Sequence, residues 1–181
     1  RVAEQVQIPP NYHYDNETLK LLDIPFNKKK KLQLTLPILV CFLVGFLGSR
    51  FQEDAIANWY PYLNKPDLTP PNIVFPIAWS ILYLCMGLSI GLVLNTNSRK
   101  KKYLLKIFLL QLFLNFTWSI SFFYFQSPLA GLVNIVLLEV VMIYYALSVY
   151  PVRRISSLLF VPYILWVSFA SYLNFYILLY N

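Results

Sequence analysis

Five long apolar stretches constrain the fold of this chain more than any other feature of its sequence. They cover residues 32–48, 73–94, 103–125, 129–150 and 156–180. A helix needs about 20 mostly apolar residues to cross the roughly 30 Å hydrocarbon core of a bilayer, and these stretches come close to that length. Backbone amides in lipid must be hydrogen-bonded within their own segment, so each stretch is expected to be a helix. The sequence therefore predicts an all-α integral membrane protein, a five-transmembrane-helix bundle.

The composition and the order of the segments support this class. The chain has 181 residues and is 58% hydrophobic, whereas soluble domains have about 45–50% apolar residues even when glycine is counted. Residues 1–31 are predicted to be a polar, flexible cytoplasmic tail, and residues 32–181 a single transmembrane domain. The longest connection in that domain runs from about residue 49 to 72.

The basic residues are distributed unevenly between the two sides of the predicted bundle. If the helices alternate in direction, thirteen of the fifteen lysines and arginines fall on one side, and only Arg50 and Lys65 on the other. The thirteen are Arg1, Lys20, Lys28–Lys31, Arg99, Lys100–Lys102, Lys106, Arg153 and Arg154. Lysine and arginine concentrate on the cytoplasmic side of membrane proteins, so we expect a cytoplasmic N-terminus and a C-terminus outside.

This distribution also bears on partners and location. The net charge of +7 would suggest nucleic acid in a soluble protein, but here we interpret the basic runs as topology determinants and expect no nucleic acid partner. Binding of anionic lipid headgroups is the alternative interpretation of those runs. We expect a multi-pass protein of a bacterial cell membrane, with the mitochondrial outer membrane or another organelle membrane as the alternative.

Residue types that carry hydrolytic or metal chemistry are scarce. His13 is the only histidine, and Cys41 and Cys85 are isolated from each other within predicted helices. Glu139 is the only carboxylate inside a span, where a proton relay or a neutral side chain are both open. We therefore predict no catalytic residues and no metal ligands.

Three of the predicted helices carry aromatic and amide residues at intervals of three to four, which places them on one face of a helix. They are Trp79, Tyr83 and Met86-Gly87 in the second span, Gln111, Asn115, Trp118-Ser119 and Phe122 in the third, and Pro162, Trp166, Ala170 and Asn174, flanked by Tyr163 and Phe169, in the fifth. If these faces converge, they form an apolar cavity with a few hydrogen-bonding points, suited to a large planar ligand. The alternative is simple helix packing with amides bonded across the interfaces.

Two further features concern the shape of the bundle. The long connection carries Trp59-Tyr60, which fits either a lid over a site or aromatic residues at the membrane interface.

Gly87 and Gly91 form a GxxxG pattern that lets another helix approach closely, within the bundle or between protomers. A homodimer is the expected assembly.

Ordered motifs in the long connection and three helices resemble a known family. They are Trp59-Tyr60-x-x-Leu63-x-Lys65-Pro66-x-x-x-Pro70-Pro71 with Trp79 and Tyr83, then Gln111-x-x-x-Asn115-x-x-Trp118-Ser119, then Pro162-Tyr163-x-x-Trp166-Val167-x-Phe169-Ala170-x-x-Leu173-Asn174. Over about residues 32–181 the chain resembles the TspO/MBR family, the translocator and tryptophan-rich sensory proteins. The resemblance implies a five-helix bundle with a ligand pocket capped by the first loop.

The resemblance also implies a ligand class: porphyrins such as protoporphyrin IX or haem-related tetrapyrroles, synthetic benzodiazepine-type compounds and, in animal members, sterols. We expect that no cofactor is required. Residues matching positions that the family uses around ligand are Trp59, Tyr60, Trp79, Asn115, Trp118, Trp166 and Ala170. The helix faces add Tyr83, Ser119, Phe169 and Asn174 as candidate ligand-binding residues.

These implications give one expected function and several alternatives. The chain is expected to be a membrane receptor or carrier for tetrapyrroles, involved in their transport, sensing or stress regulation. One alternative is a porphyrin-degrading enzyme that uses Trp59 or Trp166 in light-driven radical chemistry. The others are a sterol carrier and a ligand-dependent regulator that acts through a protein partner. Leu68 in place of the family's usual aromatic, and the lack of a basic residue after Tyr176, argue against assuming the sterol role.

Overall fold

The structure, a computed structural model, describes residues 28–181, with side chains from residue 30 onward. Its helices, in chain order, are α1 Lys28–Arg50, α2 Glu53–Asn58, α3 Val74–Leu94, α4 Lys101–Ser119, α5 Pro128–Val149, α6 Arg154–Leu158 and α7 Val161–Tyr180. A short 3₁₀ turn, Tyr60–Tyr62, follows α2, and a π-helical turn, Ile120–Tyr124, continues α4. Within the described residues, five helical segments are long and apolar enough to cross a membrane. The predicted five-helix bundle is confirmed.

The helix boundaries differ from the apolar stretches at two places. Helix α1 begins at Lys28, four residues before the predicted span, while residues 1–27 of the predicted tail lie outside the described residues. The predicted fifth span is divided into α6 and α7. Pro162 lies in the first turn of α7, where its missing N–H is tolerated because that turn has no intrahelical acceptor.

Glycines set the distance between α1 and α3. A Cβ at Gly87 would lie 2.4 Å from the Cα of Ile38, and one at Gly91 would lie 3.0 Å from the Cα of Leu34. The two helices therefore touch backbone to backbone, as small residues in membrane helices permit. The GxxxG pattern could have served a contact within the bundle or between protomers. The structure shows the contact within the bundle.

Apolar side chains divide between an interior and an outer surface. The interior contains fully buried residues such as Met86, Tyr145 and Tyr163, whereas Leu39, Leu147 and many other large aliphatic residues are exposed. An apolar exterior of this kind suits lipid rather than water.

The α3–α4 connection and the long loop between α1 and α3 lie at opposite ends of the bundle. At one end, Asn95 Nδ2 donates to the carbonyl of Lys30 (3.4 Å), which places the α3–α4 connection beside the start of α1. At the other end, the backbone N–H of Asn64 in the long loop donates to Oδ1 of Asn181 (2.8 Å). The long loop and residue 181 therefore share an end, as helices of alternating direction require.

Candidate functional site: a cavity beneath the long loop

A cavity of about 510 Å³ lies between α1, α3, α4, the π-helical turn and α7, with the long loop over its mouth. Ligand pockets in proteins fall in the range of about 300–1,000 Å³. Its walls are mostly aromatic and aliphatic side chains, with a few amides and hydroxyls. The alternative explanation of the polar and aromatic helix faces was helix packing. Packing alone does not account for an open space of this size.

A row of four aromatic rings forms one wall. Tyr83 and Trp79 are stacked with centroids 5.6 Å apart and planes 29° apart, and Trp79 lies 6.3 Å from Trp118 at 32°. Trp118 in turn stacks on Phe122 at 5.6 Å and 14°. The planes of neighbouring rings thus differ by 14° to 32°. Together the four rings form an extended apolar surface.

The π-helical turn completes this wall. The N–H of Phe125 donates to the carbonyl of Ile120 (2.9 Å), five residues earlier, where an α-helix would use the fourth. Phe122 and Phe123 are both buried in this turn, and their rings meet edge to face at 4.8 Å. Such turns inside helices are frequent at functional sites. Nothing in the local sequence predicted this one.

Asn115 connects three helices at the inner part of the cavity. The hydroxyl of Tyr83 on α3 donates to Asn115 Oδ1 (3.1 Å), and Asn115 Nδ2 donates to the hydroxyl of Tyr163 on α7 (2.8 Å). The amide retains one further hydrogen and one lone pair. The observed role of Asn115 is therefore to link three helices by hydrogen bonds. That its unused N–H and lone pair also contact a ligand stays a prediction.

A second group of polar side chains lies nearer the mouth. Gln52 Nε2 donates to the hydroxyl of Ser119 (2.7 Å), which ties the start of the long loop to the end of α4. Trp118 Nε1 lies 3.5 Å from Oδ1 of Asn174, whose Nδ2 donates to the carbonyl of Pro128 (2.7 Å). Sequence reasoning missed Gln52, because a loop has no periodicity that separates inward from outward residues.

The long loop folds around one lysine. Nζ of Lys65 donates to the carbonyls of Tyr60 (2.7 Å) and Leu63 (3.0 Å), and it lies 4.9 Å from the centre of the Tyr60 ring. The phenol of Tyr60 is protonated at neutral pH, since the ordinary pKa of tyrosine is about 10 and burial raises the pKa of Tyr60 further. Tyr60 is among the residues that line the cavity, and its phenol is able to donate a hydrogen bond.

Asn64 and Asn181 fasten the far side of the loop. Besides the backbone bond from Asn64, Asn64 Nδ2 donates to the carbonyl of Tyr180 (3.0 Å), and Asn181 Nδ2 donates to the carbonyl of Asn64 (3.2 Å). We call this pair the asparagine clasp. With Gln52 bonded to Ser119 on the near side, the loop is anchored on two sides of the mouth, as a cap would be.

The structure brings eight of the eleven candidate residues to the cavity: Tyr60, Trp79, Tyr83, Asn115, Trp118, Ser119, Ala170 and Asn174. The other three lie outside its lining. Trp59 packs against Phe122 at 5.5 Å, and Trp166 lies 5.9 Å from Phe75. Phe169 stacks on Tyr172 at 6.4 Å. Neither of the tryptophans considered for radical chemistry lines the cavity.

Residues of α1 also line the cavity but were not among the candidates. Phe42 and Phe46 are four residues apart and face the same space. The spacing that drew attention to the second, third and fifth spans would have identified them as well.

Comparison with known proteins agrees with the motifs. The TspO/MBR family profile matches residues 37–180. "Tryptophan-rich protein TspO" of Chlorobaculum tepidum is 46% identical over 155 residues, which is 84% of this chain and 98% of that protein. The protein of the same name from Archaeoglobus fulgidus is 40% identical over 150 residues, 83% of this chain and 97% of that protein. "Translocator protein" of Homo sapiens is 32% identical over 133 residues, 72% of this chain and 79% of that protein. With a five-helix bundle and a profile match over residues 37–180, this multi-pass membrane chain belongs to the TspO/MBR family.

Proposed function

We propose that this protein is a membrane receptor or carrier that binds a porphyrin-type tetrapyrrole in the cavity beneath the long loop. The row of rings from Tyr83 to Phe122 carries the proposal. A planar macrocycle can contact these rings by offset stacking or edge to face, and an aromatic pair of either kind contributes about 0.5–1.5 kcal/mol beyond burial of its area. No charged side chain is among the residues that line the cavity.

The polar groups at the mouth support an amphiphilic ligand with its acid groups toward the loop. Tyr60 offers a phenol, while Gln52 and Ser119 offer an amide and a hydroxyl. Hydrogen bonds to a charged ligand group contribute about 1.5–3 kcal/mol. A porphyrin with propionates would place its ring along the aromatic wall and its carboxylates near these donors. The loop, fixed by the asparagine clasp, would open for entry and close afterwards.

We further propose the setting in which this binding takes place. A bacterial cell membrane is the favoured location, in keeping with the bacterial relative from Chlorobaculum tepidum. The N-terminus would lie in the cytoplasm, because the basic residues gather at one end. The ligand would be transported or sensed there. A homodimer would need a face other than Gly87 and Gly91, since α1 of the same protomer covers both glycines.

A titration of purified protein with protoporphyrin IX, followed by porphyrin absorbance, tests the binding proposal. Trp118→Leu removes the ring between Trp79 and Phe122 and should weaken binding about tenfold or more, from lost stacking and apolar contact. Trp166→Leu is the matched control, because it deletes the same side chain outside the cavity lining. Equal affinity for wild type and a folded Trp118→Leu variant would contradict the proposed site.

A further inference from the structure

A second open depression lies at the end of the bundle opposite the long loop. It has a volume of about 540 Å³ and lies between the α3–α4 connection and the turn after α5. Asn97, Ser98, Arg99 and Lys100 form one side, and Pro151 and Val152 form the other. It shares no lining residue with the ligand cavity.

The polar side of this depression is rich in hydrogen-bond donors. Arg99 and Lys100 are exposed there and each carries a positive charge. Ser98 Oγ accepts from the N–H of Lys100 (3.2 Å), so its own hydrogen is left to donate outward. Guanidinium, ammonium, hydroxyl and amide donors on one wall are the set that binds phosphate oxygens.

No carboxylate among the described residues neutralises this end. Glu53, Asp54 and Asp67 belong to the long loop at the opposite end, and Glu139 is bonded to the hydroxyl of Ser168 on α7. The ion pair between Arg50 and Glu53 is also at the loop end. Lys101, Lys102, Arg153 and Arg154 add to the positive charge beside the depression.

The position of the depression suits a lipid headgroup. It lies where α3 and α5 end and α4 begins, which is the level at which membrane helices leave the hydrocarbon core. Tyr103 and Tyr144, whose hydroxyls are 2.5 Å apart, are half exposed near the same end. Tyrosines collect at the boundary between hydrocarbon and headgroups.

We propose that this depression binds the phosphate headgroup of an acidic phospholipid of the phosphatidylglycerol class. Basic pockets between transmembrane helices on the cytoplasmic side are suited to anionic headgroups. The occupant is a membrane lipid rather than free phosphate because the site opens at headgroup depth, with exposed apolar side chains such as Leu147 on α5 available to the acyl chains.

Native mass spectrometry of the full chain, released from detergent with equal amounts of phosphatidylglycerol and phosphatidylcholine, tests this site. Wild type should retain phosphatidylglycerol in preference. Arg99→Gln with Lys100→Gln should reduce that retention at least fivefold. The matched control, Lys101→Gln with Lys102→Gln, removes the same charge from residues that do not line the depression, and it should retain the lipid.

Two further arms separate a site from general attraction. Ser98→Trp keeps every charge but replaces a hydroxyl donor with a bulky ring that obstructs the depression, and it should lose the preference for phosphatidylglycerol, with helix content checked by circular dichroism. Equal losses in both double variants, or an unchanged preference in a folded Ser98→Trp protein, would overturn the proposal. Displacement of the lipid by millimolar inorganic phosphate would assign the depression to free phosphate and overturn the lipid assignment.

Discussion

Asn115 shows how one side chain joins the stability of the bundle to its cavity. Its amide is buried and bonds the hydroxyls of Tyr83 and Tyr163 on two other helices. Asn115→Leu would leave both hydroxyls without this partner, at a cost of about 1–3 kcal/mol for the fully buried hydroxyl of Tyr163 and less for the half-buried Tyr83, which lines the cavity. We expect a lower thermal unfolding temperature and equal losses of affinity for porphyrins with and without propionates. Unfolding in detergent and two parallel titrations measure these effects.

Asn134 provides the control for that substitution. Its Nδ2 donates to the hydroxyl of Thr117 (2.8 Å), an interhelix bond between α5 and α4 outside the cavity lining. Asn134→Leu should lower the unfolding temperature and leave porphyrin affinity unchanged. If Asn115→Leu unfolded like wild type but lost only the acid-bearing porphyrin, Asn115 would be a direct ligand contact instead.

At the scale of elements, the α1–α3 contact depends on glycine size. Gly87→Ala would put a methyl group 2.4 Å from the backbone of Ile38, whereas the same change at Gly91 meets Leu34 at 3.0 Å. Both methyl groups would meet backbone, which cannot move aside as a side chain can, but the approach at Gly87 is closer by more than half an ångström. Gly87→Ala should therefore lower the free energy of unfolding by about 1–3 kcal/mol, as overpacking does, and Gly91→Ala should lower it less. Unfolding curves of both variants give the comparison. A larger effect at Gly91, or a loss of dimer with unchanged unfolding of the protomer, would speak against this packing.

The asparagine clasp should control how long a ligand stays. Asn64→Ala removes the bond from its Nδ2 to Tyr180 and weakens the anchor of the loop. A cap acts mainly on escape, so we expect a faster porphyrin dissociation rate and little change in association. Asn58→Ala is the control, since Asn58 bonds only Asp54 within the same loop (2.7 Å). Stopped-flow dissociation measures both variants, and equal rates would mean that the clasp does not hold the cap.

Hydropathy located all five spans, because a helix that crosses lipid must be apolar along its full length. It did not locate the inward face of α7, where Pro162, Trp166, Ala170 and Asn174 are four residues apart. At 3.6 residues per turn, each such step rotates the face by about 40°, so a row of four drifts around the helix. Ala170 and Asn174 reach the cavity and Trp166 does not.

The π-helical turn could not have been predicted for a different reason. Whether a helix forms a π-helical turn here depends on how Phe122 and Phe123 pack against neighbouring helices. Hydrophobic periodicity carries no information on that packing. The same holds for Gln52, whose role depends on where a loop meets Ser119. The family motifs supplied the aromatic positions, and the three-dimensional contacts decided which of them face the cavity.

At the scale of the whole molecule, two features occupy opposite ends. The cavity and its cap lie toward the loop end, and the basic depression lies at the other. In the orientation that we propose, a hydrophobic ligand would reach the cap from outside the cytoplasm, while the basic end would meet the anionic inner leaflet. The orientation therefore decides from which side each ligand would reach its site in the membrane.

Cysteine labelling in a bacterial expression host tests that orientation. Cys41 and Cys85 are first replaced by alanine, and single cysteines are then placed at Asn97 and at Leu68, which are exposed at opposite ends. Neither substitution alters a basic residue, so the charge asymmetry that determines topology stays as it is. A membrane-impermeant maleimide added to intact cells with a permeabilised outer membrane should label Leu68→Cys at once, and Asn97→Cys only after lysis. Labelling of Asn97→Cys alone would reverse the proposed orientation, and immediate labelling of both would contradict an odd number of membrane crossings between them.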